Sequence, residues 1–273
     1  MSVALGTIGV WQFTAKATPE LAAEAERLGY GTVWIGGSPE GGLEQAETLL
    51  DATERITVAT GIVNIWKDDA ATVGASYHRL EGRHPGRFVL GVGVGHREAI
   101  SGYRNPYEKI VEYLDQLDDA GVPTDRRILA ALGPRVLELS AARCAGAHPY
   151  LTTPEHTAVA RKILGPDPMI APEHKVVLDT DPERARILGR KALKRYLGLI
   201  NYRQNWLRFG FSEDDLAGEG SDRFIDAMVL SGDIETIAAG LRAHLEAGAD
   251  HICIQVLGDD LGPAYRDLAE ALQ

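Results

Sequence analysis

Three alternating glycines and a histidine, Gly91-Val92-Gly93-Val94-Gly95-His96, follow the apolar run Phe88-Val89-Leu90. That run reads as a strand covered on both faces, as in a parallel sheet. Glycines at this spacing strip side chains from one face of the strand end, where a flat or bulky ligand can lie against bare backbone. His96 sets beside it a ring that titrates near neutral pH and can pass a proton. The pattern is not a dinucleotide fingerprint, whose third glycine would fall at position 96. A second candidate is Leu132-Gly133-Pro134-Arg135, which sets a glycine and a guanidinium at a helix start and suits an anion. The chain has no H-E-x-x-H and no G-x-S-x-G, and His244 and His251 do not share metal-ligand spacing on one helix. A metal site is therefore not expected.

The elements that must position these residues alternate. Thr18-Pro19-Glu20, Thr153-Pro154-Glu155 and Asp181-Pro182-Glu183 each offer an N-cap, a proline at the first helical position and an acid in the first turn. Leu28-Gly29, Ala120-Gly121 and Ala247-Gly248 each end a helix just before a strand. The spacing predicts strands over 5–10, 32–35, 56–62, 87–92, 127–131, 145–150, 174–179 and 250–256. Helices are predicted over 18–28, 42–53, 70–82, 106–120, 134–144, 154–164, 182–198, 233–247 and 262–272. Eight such units in one α/β chain predict a single (β/α)8 TIM barrel over 1–273, with a doubly wound sheet as the fallback. The aromatic-rich span 199–232 reads as an insertion at the barrel's active face.

In such a barrel the site lies at the C-terminal ends of the strands. Those ends present Trp11 and Gln12, Gly36-Gly37-Ser38, Gly61-Ile62-Val63-Asn64, Gly93, Gly95 and His96. Further round come Ala131 to Arg135, His148-Pro149-Tyr150, Asp179-Thr180 and Gln255. No lysine and no facing pair of carboxylates stands among them, so neither a Schiff base nor glycoside hydrolysis is indicated. Such a site suits a flat cofactor that brings its own chemistry while the protein positions and polarises. Trp11, Trp66, His148 and Gln255 are the substrate-pocket candidates.

A formal net charge of −11 argues against a nucleic-acid or anionic-membrane surface. Cys144 and Cys253 are far apart and read as buried thiols of a cytoplasmic protein. No export signal or membrane-spanning run is visible in the sequence.

Taken together the chain resembles the luciferase-like monooxygenase superfamily, and most closely its actinobacterial deazaflavin (coenzyme F420) branch. The landmarks are Ala22-x5-Leu28-Gly29-Tyr30-x3-Trp34, Thr60-Gly61-Ile62 and Gly86-Arg87-Phe88-x-Leu90-Gly91-x-Gly93. Ala131-Leu132-Gly133-Pro134-Arg135, Gly146-Ala147-His148 and Asn201-Tyr202-x2-Asn205-Trp206 follow in order. The resemblance implies a tricyclic ring at the strand ends, supported by a non-prolyl cis peptide at Gly61-Ile62. It implies phosphate contacts at Ala131, Leu132, Gly133, Pro134 and Arg135, and strand-4 contacts at Gly93, Gly95 and His96, with Asn64 beside the strand-3 bulge. It further implies a homodimer and a partner dehydrogenase that reduces the cofactor. The branch's Asp-His pair after strand 2 and glutamate after strand 4 are replaced here by Gly36-Gly37 and His96. Sugar-phosphate and alcohol oxidation are therefore not carried over, and His96 is the expected catalytic residue. The expected activity is hydride transfer between reduced F420 and a small organic molecule. The alternatives are an FMN-dependent two-component monooxygenase and a non-catalytic F420- or flavin-binding protein.

Overall fold

The computed structural model describes residues 4–96 and 105–273. Strand β1 (Ile8–Phe13) is followed by helix α1 (Pro19–Arg27), β2 (Thr32–Gly36) by α2 (Glu44–Asp51), and β3 (Thr57–Gly61) with its continuation β4 (Val63–Asn64) by α3 (Ala70–Arg83). Next come β5 (Phe88–Gly93) and α4 (Pro106–Asp119), β6 (Arg127–Leu129) and α5 (Pro134–Arg143), and β7 (Gly146–Ala147) and α6 (Pro154–Leu164). β8 (Met169–Ile170) and β9 (Glu173–Val177) lead into α7 (Pro182–Leu193). Then α8 (Ile200–Arg208), α9 (Asp222–Met228) and β10 (Val229–Ser231) precede α10 (Ile234–Glu246), β11 (Ile252–Val256) and α11 (Leu261–Leu272).

Every strand pair is parallel, in the order β10-β9-β11-β1-β2-β3-β5-β6-β7-β8. β8 and β9 are one strand interrupted at Ala171-Pro172, so β8 rejoins the path at β9 and the sheet closes as a (β/α)8 barrel, with β10 added beside β9. The interior is filled by alternate residues of successive strands, among them Trp11, Trp34, Ala59, Val89, Ile128 and Cys253. Their neighbours Val10, Val33, Val58, Phe88 and Ile254 pack outward under the helices. This is the period-two alternation of a strand buried on both faces.

Thr18 and Asp181 cap α1 and α7 as their types predict, whereas the Thr153 side chain makes no capping bond to α6. The strand boundaries that differ most from expectation lie in strands 1, 6 and 7. Gly6, at φ +71, breaks the chain ahead of β1, so β1 starts at Ile8 rather than residue 5 and takes in Trp11 and Gln12. Strand 6 contracts to Gly146–Ala147, and strand 7 begins at Met169 instead of 174. Helix 7 stops at Leu193 rather than 198, and a short 3₁₀ turn over Tyr196–Gly198 carries the chain into α8.

The join between β3 and β5 shapes the barrel mouth. Ala59 pairs with Val89 and Val63 with Val92, so three residues oppose two, and the extra residue makes a bulge. The Gly61-Ile62 peptide inside it is cis, where the family resemblance places such a bond. The Thr60 hydroxyl bridges the interruption, donating to Gly91 O at 2.8 Å and accepting from Gly91 N–H at 2.9 Å. A methyl group on Gly91 would stand 1.9 Å from the Thr60 carbonyl oxygen. Gly91→Ala is therefore expected to destabilise the fold by more than about 2 kcal/mol, as forced overpacking does. A thermal melt checks this; an unchanged melting temperature would show that the bulge adapts freely.

Candidate active site

A cavity of about 390 Å³ opens at the C-terminal mouth of the barrel. That volume is within the range of small-molecule sites. Its walls come from the segments just after β2, β5, β6 and β7, from the β3–β4 bulge, and from α8 with the turn before it. No aspartate or glutamate lines it among the described residues, while Arg195 and Arg208 stand on it as cations.

The floor is built around Gly61. A methyl there would lie 2.7 Å from Trp11 Nε1 and 3.3 Å from His148 Nε2, so the two nitrogens flank one point. His148 is 2% exposed and stacks on Trp34 with ring centroids 4.3 Å apart. Its Nδ1 lies 2.6 Å from the Ala171 carbonyl, which can only accept; Nδ1 therefore carries the proton and Nε2 keeps a lone pair. Burial holds the His148 pKa down at about 4, with the Ala171 bond working against it. Neither His148 Nε2 nor Trp11 Nε1 has a hydrogen-bond partner among the described residues. The floor thus offers one neutral acceptor and one neutral donor to whatever occupies the cavity.

One wall is a run of aromatic rings. His96, half-buried at the end of the β5 segment, faces Tyr202 at 5.4 Å and Tyr196 at 6.5 Å between centroids. The Tyr150 hydroxyl meets the Tyr196 hydroxyl at 3.0 Å and accepts from Lys175 Nζ at 2.9 Å. Lys175 in turn donates to Glu173 Oε1 at 2.8 Å, both residues at most 1% exposed. Burial pushes the Glu173 carboxyl up and the Lys175 ammonium down, and each ion opposes the shift of its partner. Burial also raises Tyr150, Tyr196 and Tyr202, so all three are neutral hydroxyl groups at ordinary pH.

Most of the residues singled out by sequence line this cavity: Gly61, Ile62, Asn64, Gly95 and His96, then Ala131, Leu132 and Gly133, with Trp11 and His148. Five do not. Gly93 serves the bulge, since a methyl on it would meet the Ile62 side chain at 3.0 Å and Ala130 Cβ at 2.8 Å. Pro134 opens α5, and the exposed Arg135 lays its guanidinium over the Tyr107 ring at 4.3 Å. Trp66 packs against the outer core near Lys109. Gln255 is buried in β11, level with Lys175. Of the three alternating glycines only Gly95 faces the cavity; the other two admit the protein's own Thr60 and Ile62.

The sequence reading passed over Tyr196, Arg195 and Arg208, and it found no strand-end lysine. Glu173 and Lys175 sit on one face of β9, a period-two signal hidden by starting the strand at residue 174 and reading only its exit. Arg208 ends α8, with Nη1 3.9 Å from the point where a methyl on Gly133 would stand. It supplies beside Gly133 the guanidinium that Arg135 points elsewhere.

The model of the family described as luciferase-like monooxygenase matches residues 2–121. No curated protein matches the chain. Among solved structures, an F420-dependent secondary alcohol dehydrogenase in complex with an F420–acetone adduct aligns at a TM-score of 0.78, with 15% identity and 100% of each chain covered. The coenzyme F420-dependent tetrahydromethanopterin reductase of Methanopyrus kandleri aligns at 0.69, with 15% identity over 100% of this chain and 99% of that one. The FMN-bound oxygenating constituent of 3,6-diketocamphane monooxygenase from Pseudomonas putida aligns at 0.68, with 14% identity and 96% of each covered. At these identities the structures speak for the fold. Among the described residues no helix is long and apolar enough to cross a membrane, and no group of His, Cys, Asp and Glu could hold a metal ion. The chain resembles the luciferase-like monooxygenase family through residues 2–121 and carries along its length the barrel fold of these oxidoreductases.

Proposed function

We propose that the protein is a deazaflavin-dependent oxidoreductase that moves a hydride between reduced coenzyme F420 and a small organic acceptor. The observation that carries this reading is the cavity's division of labour. A slot with no carboxylate among the described residues and with a neutral floor ends at a mouth bearing Arg195, Arg208 and the N-terminus of α5. A flat ring bearing an anionic phosphate fits such a slot, with the ring against Gly61 and Ile62 and the phosphate towards Gly133 and Arg208. When bound, the deazaflavin supplies two-electron hydride chemistry.

The chain's own residues then do three things. Trp11 Nε1 and His148 Nε2 fix the orientation of a polar group at the floor through one donor and one acceptor. Phe13 and Ile200, apolar and exposed beside the mouth, reduce the access of water once a ligand lies beneath them. His96, half-buried on the tyrosine wall, polarises the substrate side of the cavity.

Separate fluorescence titrations with the deazaflavin and with FMN at matched salt test the reading. Tight binding of the deazaflavin alone is expected. Preference for FMN would replace this function with oxygen chemistry served by a flavin reductase, and binding of neither would end the hydride-transfer reading. Arg208→Ala is expected to weaken deazaflavin binding about 10- to 100-fold, the value of a charge-assisted contact to an anion. Affinity unchanged in that variant would place the phosphate elsewhere.

A further inference from the structure

We propose that Tyr196, backed by Tyr150 and the buried Lys175–Glu173 pair, forms a wall that binds a developing oxyanion and delivers its proton, so that the acceptor is a carbonyl compound. The hydride in this step comes from the deazaflavin, and the assignment of the acceptor rests on that reading.

Glu173 also accepts from the Leu151 backbone N–H, so the pair is anchored to the segment after β7. A fully buried ion pair generally stabilises a fold no better than apolar side chains of the same size. The orientation of this pair points to the cavity. β9 runs towards the mouth, with Glu173 level with Cys253 and Lys175 level with Gln255, so the positive end of the pair is the end nearer the site. Lys175 can only donate to the Tyr150 oxygen; of the two directions open to the 3.0 Å contact between the hydroxyls, the relay uses the one in which Tyr150 donates to Tyr196. The Tyr196 proton is then left for a ligand in the cavity that this residue lines. In that arrangement three donors point in series from a buried cation towards the site. Preorganised donors of this kind favour the group on which negative charge grows during reaction.

The step balances. A hydride adds to the carbonyl carbon, and the carbon–oxygen π pair moves onto oxygen. That oxygen takes the Tyr196 proton, Tyr196 takes the Tyr150 proton, and Tyr150 takes one from the Lys175 ammonium. The product is an alcohol, and a neutral amine is left beside the Glu173 carboxylate until the chain takes up one proton from solvent.

The test uses the protein without deazaflavin, so its outcome is separate from that of cofactor binding. 4-Nitrophenolate, at a pH where it is ionised in free solution, and the uncharged nitrobenzene are titrated into the wild-type protein, Tyr196→Phe, and the double variant Glu173→Gln/Lys175→Met. The phenolate is expected to bind about ten-fold or more weakly to both variants, with nitrobenzene affinity unchanged. The double variant leaves no buried charge unpaired, and Tyr196→Phe removes a single oxygen, so a folding defect in one leaves the other informative. Equal phenolate affinity in wild type and Tyr196→Phe would overturn the assignment. So would a wild-type protein that prefers nitrobenzene, or a loss of both probes together.

Discussion

Stability is expected to fall steeply as the pH is lowered from about 6.5 towards 4, before most carboxylates are protonated. His148, His156, His244 and His251 are each at most 2% exposed, and burial holds each pKa at about 4 against an ordinary 6.5. The sign follows from the proton count. Between these values the unfolded chain binds protons that the folded chain refuses, so stability is complete above the unfolded pKa and drains away as pH drops to the folded one. Each ring works in this direction, and because His148 faces His251 and His244 faces His156 their effects overlap rather than add. Urea denaturation at a series of pH values reads this directly. A midpoint that stays level from neutrality to about pH 4.5 would mean that these rings are protonated without unfolding.

Breaking the buried pair has the next largest effect. Lys175→Met alone leaves Glu173 at 0% exposure with its cation gone, and is expected to cost about 3–5 kcal/mol. For a chain of this size that lowers Tm by roughly 10 °C. The double variant Glu173→Gln/Lys175→Met removes both charges and is expected to regain most of the loss, because exchanging a whole buried pair for neutral groups is often close to neutral. Thermal melts of both variants measure the coupling. Equal destabilisation by the single and double changes would show that the two charges do not compensate each other.

The barrel was legible because its punctuation is local. Thr18-Pro19 and Asp181-Pro182 at helix starts, and Leu28-Gly29 and Ala247-Gly248 at helix ends, act within a few residues of themselves. Residues whose meaning depends on a distant partner read less well. Gly91 looks like room for a ligand until Thr60, 31 positions earlier in the chain, is seen to press on it. Arg135 carries the right charge at the right helix start, yet its side chain goes to Tyr107 while Arg208 from α8 comes in beside Gly133. Lys175 was missed because a break at Ala171-Pro172 conceals where the strand begins, and with it which face each residue takes. Tyr196 had no recognisable spacing of its own. A 3₁₀ turn between two helices puts it on the cavity, and only the contact with Tyr150 shows its purpose.

The segment after α7 supplies much of the cavity wall, and its apolar side chains pack largely with one another. Tyr202, Trp206, Phe211, Phe224, Ile225 and Met228 belong to a cluster that also takes in Leu151, Val177 of β9 and Leu193 of α7, distinct from the one that joins most of the strands to their helices. Trp206 ties it to the barrel through one indole bond to Leu151 O at 3.0 Å. The same segment also adds β10 to the sheet beside β9, at Val229, Leu230 and Ser231. Substitutions on its cavity face are therefore expected to change what fits against the floor of Trp11, Gly61 and His148, whereas changes at Val229 or Met228 reach the strands themselves.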